Sequence, residues 1–239
     1  MIDLSPSTDL AAPAPSPIVD RRTLPTAVAE RLRDMIIQGE LAAGARLNER
    51  TLCDRLQVSR TPLREAFRLL AADGLVQLQP SRGAQVTALS EQDVIESFEL
   101  MAALEALSGQ LACERISDRE ITEIRALTYE MRACHARHDL PAYYHVNRKI
   151  HDRINAASHN QLLVQVYQSI NLRLQNLRFR SNLNHDKWDK AMEEHGDMVE
   201  ALAARDGPRL AAIMRSHLQR KAEAVLETLK AQPVPSDPP

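Results

Sequence analysis

Apolar residues recur at three- and four-residue spacing along most of this chain, so the pattern predicts a mainly α protein. The first such face is Val28, Leu32, Met35 and Ile36, on a helix expected over residues 26–38 and closed by Gly39. A loop containing Gly44 follows. A second helix is expected over 48–56. Ser59 is a good N-cap for a third, which has Pro62 in its first turn and Gly74 at its end. The period then drops to two. Residues 75–79 and 84–87 alternate on either side of Pro80-Ser81-Arg82-Gly83, the pattern of a β-hairpin. Three helices and a hairpin make a winged helix-turn-helix.

From Ser90 the pattern is helical throughout, with helices expected at 91–115, 118–138, 140–157, 160–182, 187–204 and 207–230. Ser90, Ser117, Asp139, Ser158, Asp186 and Asp206 are the candidate N-caps, and Ser117 with Glu120 forms a capping box. No strand signal appears after residue 90, which predicts an all-α bundle of six or seven helices. Residues 1–22 and 232–239 hold eight of the thirteen prolines and are expected to be disordered tails. The organisation is then a winged helix-turn-helix unit at 23–89 and an all-α unit at 90–231.

Composition sharpens this picture. Aromatic residues make up only 3% of the chain, which favours a helical core over a β-sandwich. No apolar run approaches the ~18 residues that span a bilayer, so no membrane contact is expected. Cys53, Cys113 and Cys134 show no CxxC spacing and fit free thiols in a reducing cytoplasm. The near-neutral total charge hides an asymmetry. Residues 21–89 hold eleven Arg, no Lys and seven acidic residues, a net of +4, whereas 90–239 hold nineteen basic and twenty-two acidic residues, a net of −3. A basic half points to nucleic acid.

Within that half, Arg60 and Arg64 lie one turn apart at the start of the third helix, where a recognition helix meets base edges. Each guanidinium can fork onto guanine O6 and N7, worth roughly 1–3 kcal/mol of discrimination. Ser59 and Thr61 can reach phosphates at the helix N-terminus. Arg50 is placed to hold the backbone or reach a base, and the hairpin tip offers Arg82 and Gly83 to the minor groove. On spacing alone, a helical hairpin with solvated arginines remains an alternative.

The stretch NERTLCDRLQVSRTPLREAFRLLAADGL, with its flanks over residues 24–86, resembles the DNA-binding domain of GntR-type bacterial transcription regulators. In that family the positions matching Arg50, Arg60, Arg64 and Gly83 contact operator DNA, with those of Ser59 and Thr61 on phosphates. The resemblance therefore implies a metabolite-responsive regulator, most commonly a repressor, that binds a short inverted repeat as a homodimer.

All eight His fall between His135 and His217. Asn147 and His151 share a helix face, and His195 and His217 lie on the last two expected helices. Three imidazoles and an oxygen ligand suit zinc or another first-row divalent ion, although a lone His on an amphipathic helix is more often a satisfied or surface residue. His135, His138, His145, His159 and His185 fall at helix ends or in loops and are expected at the surface.

Residues 92–226 resemble the FCD ligand-binding domain of FadR-like GntR regulators, carried by NRKIHDRINAASHN (147–160), EEHGDMVEALAARD (193–206) and MRSHL (214–218). Metal-binding members hold a divalent ion through positions matching Asn147, His151, His195 and His217, beneath a pocket for a small organic acid. The resemblance thus implies a metal cofactor, zinc first, with nickel and manganese as alternatives. Two departures stand out. Asn147 is neutral where many relatives have Asp. Met101-Ala102-Ala103 occupy the place before Leu104-Glu105 where relatives often carry an effector-binding Arg. The effector carboxylate is then expected to use the metal, or Arg173, Arg178 or Arg180. Two other readings stay open from sequence. One is a metal-dependent hydrolase with Glu194 or Glu105 as base, and the other is a bundle that only dimerises.

Overall fold

The computed structural model describes residues 24–79, 83–183 and 188–231. The expected tails, the hairpin tip with Arg82, His185 and the N-cap Asp186 lie outside the described residues. Helix α1 (Leu24–Ile37) buries Val28, Ala29, Leu32, Met35 and Ile36, one stripe of a 3.6-residue repeat. Helix α2 (Glu49–Leu56) starts where the Asn48 side chain accepts the Thr51 N–H at 3.0 Å. Helix α3 (Arg60–Ala72) buries Leu63, Ala66, Phe67 and Leu70 against α1. An Arg33–Asp73 ion pair at 2.6 Å ties the end of α3 to α1.

Strands β2 (Val76–Gln79) and β3 (Gly83–Val86) pair antiparallel, with Val76 opposite Val86 and Gln79 opposite Gly83. A further strand, β1 (Arg46–Leu47), pairs on the other edge of β3 and gives the order β1-β3-β2. Sequence periodicity missed it because two residues carry no alternation. Its placement comes from pairing, Leu47 entering the core opposite Ala84.

The second unit runs through α4 (Glu91–Arg115), α5 (Asp118–Ala136), α6 (Leu140–Ala157), α7 (Gln161–Arg180), a 3-10 turn (Ser181–Leu183), α8 (Trp188–Ala203) and α9 (Gly207–Lys230). Capping boxes close the starts of α4 (Ser90 with Asp93) and α5 (Ser117 with Glu120), while Asp139 and Asp206 cap α6 and α9. Helix α7 is capped by Asn160, and Ser158 instead ends α6, with its hydroxyl bonded to Asn155 O at 2.6 Å. Both side chains can cap; a left-handed His159 (φ 48°) turns the chain between them, so the new helix starts one residue later.

Helices α4 and α9 pack closely along their length. A Cβ at Gly109 would lie 2.9 Å from Met214 Sδ and 3.0 Å from Leu210 Cγ, so the two helices approach through the missing side chain. Gly109→Val is therefore expected to destabilise the protein by roughly 1–3 kcal/mol through overpacking. A lowered urea midpoint for the bundle would show this, and an unchanged midpoint would mean that α4 and α9 do not pack at this distance.

Candidate metal centre and DNA interface

Three helices deliver one imidazole each to the same place: His151 from α6, His195 from α8 and His217 from α9. His151 and His195 are fully buried, and His217 is 6% exposed. The ring centroids are 5.0–5.3 Å apart, and one ligand nitrogen of each lies within 4.8 Å of the others.

Every Nδ1 has an acceptor. His151 donates to Glu105 Oε2 at 2.9 Å, His217 to Glu194 Oε2 at 2.6 Å, and His195 to the Ala191 carbonyl of its own helix at 2.6 Å. Carboxylate and carbonyl oxygens only accept, which fixes the proton on Nδ1 and leaves a lone pair on each Nε2. The Nε2 atoms of His151 and His195 are buried without a hydrogen-bond partner. Leaving a buried polar atom unpaired costs about 1–3 kcal/mol, so two in one spot require an account. Among the described residues, this trio alone of the His, Cys, Asp and Glu side chains could hold a metal ion. Burial, aided by the neighbouring His217 and His151, holds His195 well below the ordinary imidazole value; burial also lowers His217 against the pull of Glu194. Both are neutral near pH 7, the state in which an imidazole can ligate.

A cavity of about 380 Å³ opens beside the trio, with Tyr143, Asn147, Arg178, Glu194, His217 and Arg220 in its wall. Asn147 lies one helical turn before His151 and is 8% exposed. Arg178 is buried and donates to Asn171 Oδ1 at 2.6 Å, while Arg220 reaches Glu194 Oε1. Of the trio, His217 lines this wall, where Arg178, Lys190, Arg220 and Lys221 stand among Glu194, Glu223 and Glu227, and Arg178 is the buried cation of the set.

Arg173 does not reach this cavity. It lies five residues from Arg178, about 140° around the helix, and lines a separate cleft of about 420 Å³ between the two units. Arg180 lines that same cleft. Of the arginines expected at an effector, the structure brings only Arg178 to the trio. Sequence reading missed the cavity residues Tyr143 and Arg220, although Arg220 follows His217 by the three residues that share a helix face. It placed Glu105 and Glu194 only as alternative bases of a hydrolase, not as partners of the histidine Nδ1 atoms, and it missed Asn176. Asn176 Nδ2 donates to the Ile36 and Ile37 carbonyls at 2.6 and 3.0 Å, capping the end of α1 from α7.

On the first unit, Arg50, Ser59, Arg60, Thr61 and Arg64 are all exposed, clustered at the N-terminal ends of α2 and α3. The Ser59 hydroxyl makes no capping bond. Arg64 forks onto both oxygens of Glu49 at 2.9 and 3.0 Å, which pre-orders its guanidinium at the mouth of the helix pair. Gly83 sits at φ +83° with nothing within 4 Å of a would-be Cβ, so the wing has room for close approach at this point.

A winged helix-turn-helix joined to a helical bundle is the architecture of a two-domain DNA-binding regulator. A family model for bacterial regulatory proteins of the gntR family matches residues 24–86, and one for the FCD domain matches 96–220. The chain belongs to the GntR family of transcription regulators and carries an FCD domain. It is 30% identical over 201 residues to the "Probable D-xylose utilization operon transcriptional repressor" of Paenarthrobacter nicotinovorans, covering 82% of this chain and 88% of that one. To the transcriptional repressor RspR of Escherichia coli K12 it is 27% identical over 194 residues, covering 81% and 85%. The fold matches that of E. coli McbR/YncC with a TM-score of 0.77 at 20% identity, over 87% of this chain and 99% of that one. No helix among the described residues is long and apolar enough to cross a membrane.

A pH dependence follows from His195. Its folded value lies below its unfolded one, so the unfolded chain binds the proton more readily. That stability is complete above the ordinary imidazole value of about 6.5 and is lost as pH falls from there towards the folded value. Chelator-treated protein is expected to show a lower urea midpoint at pH 5.5 than at pH 7.5, with a smaller difference in His195→Gln. Equal pH slopes for the two proteins would contradict the assignment.

Proposed function

We propose that the protein is a homodimeric, metabolite-responsive repressor, acting in the cytoplasm, whose effector is a small organic acid bound beside a divalent metal ion. The observation that carries this is the convergence of three buried imidazoles, two with orphaned Nε2 atoms, beside a cavity whose wall presents His217 and Arg178. His151, His195, His217 and Asn147 would hold the ion, zinc first with nickel or manganese as alternatives. The bound ion supplies a Lewis-acidic point for a carboxylate oxygen, and Arg178 adds a cation on the same wall. The relatives named as repressors support the sign of regulation.

On DNA, Arg60 and Arg64 would read base edges in one half of a short inverted repeat, with Ser59, Thr61 and Arg50 on phosphates and the Arg82-Gly83 wing in the minor groove. Leu100 and Leu107 on α4 and Leu162 and Val166 on α7 are exposed apolar residues on two helices that pack together. A second copy of the chain would cover them. Helix α7 provides a route between the sites. Arg178 faces the cavity, while Asn176, about 200° away around the helix, grips the end of α1. An effector acts only through its different affinity for two placements of the DNA-binding unit, and α7 is the element both placements share.

Arg60→Ala is expected to lose roughly 1–3 kcal/mol of discrimination between a preferred duplex, selected from a random pool by the wild type, and a scrambled one. Equal discrimination in the variant would remove Arg60 from base reading. Separately, elemental analysis of the purified chain is expected to find about one divalent ion per protomer, with none in His151→Ala/His217→Ala. Adding zinc should raise the melting temperature of the stripped wild type only. A wild type without metal and without that shift would overturn the metal reading.

A further inference from the structure

We infer that Glu105 and Glu194 are the positioning residues of the histidine centre: they aim the Nε2 lone pairs of His151 and His217 at the ion and supply the negative charge that its ligands lack. This rests on the metal reading above and adds two residues to it. Glu105 lies in the middle of α4, is fully buried, and bonds through one oxygen to His151 Nδ1 at 2.9 Å. Its other oxygen, Oε1, is buried without a hydrogen-bond partner. A fully buried carboxylate with one oxygen unpaired is weak evidence of a role in stability, because desolvation offsets what its partners return. An apolar residue of similar volume would serve packing better. The arrangement makes physical sense if the imidazole carries a cation on its far nitrogen.

Glu194 repeats the device from another helix. It is 5% exposed, accepts from His217 Nδ1 at 2.6 Å through Oε2, and meets Arg220 through Oε1. His195 has a backbone carbonyl in the equivalent place, 2.6 Å from its Nδ1. All three rings are thus locked by their rear nitrogen, two of them by anions. Three neutral imidazoles and the Asn147 amide bring no charge to a doubly charged ion. Two buried carboxylates directly behind them offset it, and hydrogen bonds of this kind raise the basicity of a ligating imidazole.

Their roles can be read from zinc affinity of the full-length chain, measured by competition with a chromophoric chelator. Glu105→Gln keeps an acceptor but removes the charge, and Glu105→Ala removes both. Glu194→Gln tests the second carboxylate, while Glu193→Gln changes its exposed neighbour. Affinity is expected to fall about 10-fold in the Gln variants and towards 100-fold in Glu105→Ala, with Glu193→Gln like wild type. The melting temperature of metal-free protein should change little in the Gln variants, and the visible spectrum of the cobalt-substituted chain should shift. A purely packing role would lower metal-free stability and leave zinc affinity and the cobalt spectrum of the folded protein unchanged. Zinc affinities within about threefold of wild type in both Gln variants, with wild type binding zinc, would overturn this inference alone. Absence of zinc binding by wild type would instead overturn the reading on which it rests.

Discussion

Three buried imidazoles must be held in fixed orientation inside a helical bundle, and the arrangement of that bundle follows from the constraint. Each ring is held from behind by an acceptor on a different residue: Glu105 on α4, Glu194 on α8 and the Ala191 carbonyl, also on α8. Four helices are therefore pinned to one point. Burial disfavours the charged forms of His195 and His217, and the unpaired Nε2 atoms of His151 and His195 make the point incomplete on its own. Met198, Leu202, Leu210 and Met214 belong to the apolar core of the same bundle, and Gly109 lets α9 approach α4 at Leu210 and Met214. Packing here serves a polar centre.

The same centre lies one helix away from the DNA-binding unit. Helix α7 has a buried face that carries Arg178 to the cavity and an outer face that carries Asn176 and Arg173 to the ends of α1 and α3. Asn176 donates to two carbonyls at a helix C-terminus, that of Ile36 also accepting from the Gly39 N–H at 3.1 Å, so its hold is specific in direction as well as position. Arg173 lies against Gly74, where α3 ends. Small rotations of α7 would alter both contacts, because tightly packed elements move as bodies. The cleft beside these contacts leaves space for such movement.

Much of this was legible in the sequence because local rules decide it. Helix starts follow Ser90, Ser117, Asp139 and Asp206, whose side chains accept first-turn backbone N–H groups, whereas Ser59, an equally good candidate by residue type, makes no such bond. The long α4–α9 bundle follows from sustained apolar periodicity. The histidines were legible only through family resemblance, since no spacing joins three rings that come from three helices. What stayed hidden depends on tertiary geometry. Strand β1 exists only because β3 offers it an edge. Arg173 and Arg178 look alike in sequence, and only helical rotation separates the cleft from the cavity. Glu105 stood in the sequence only as a candidate base, and nothing local says that a histidine from α6 meets it.

The central claim is that the state of the histidine centre is felt by the DNA-binding unit through α7. Hydrogen–deuterium exchange on the full-length chain, stripped of metal and then saturated with zinc, tests it directly. The account predicts added protection at residues around His151, His195 and His217, and, with it, a change in exchange at residues 36–41, where Asn176 grips the end of α1. Protection confined to the bundle, with exchange at 36–41 unchanged, would contradict the coupling.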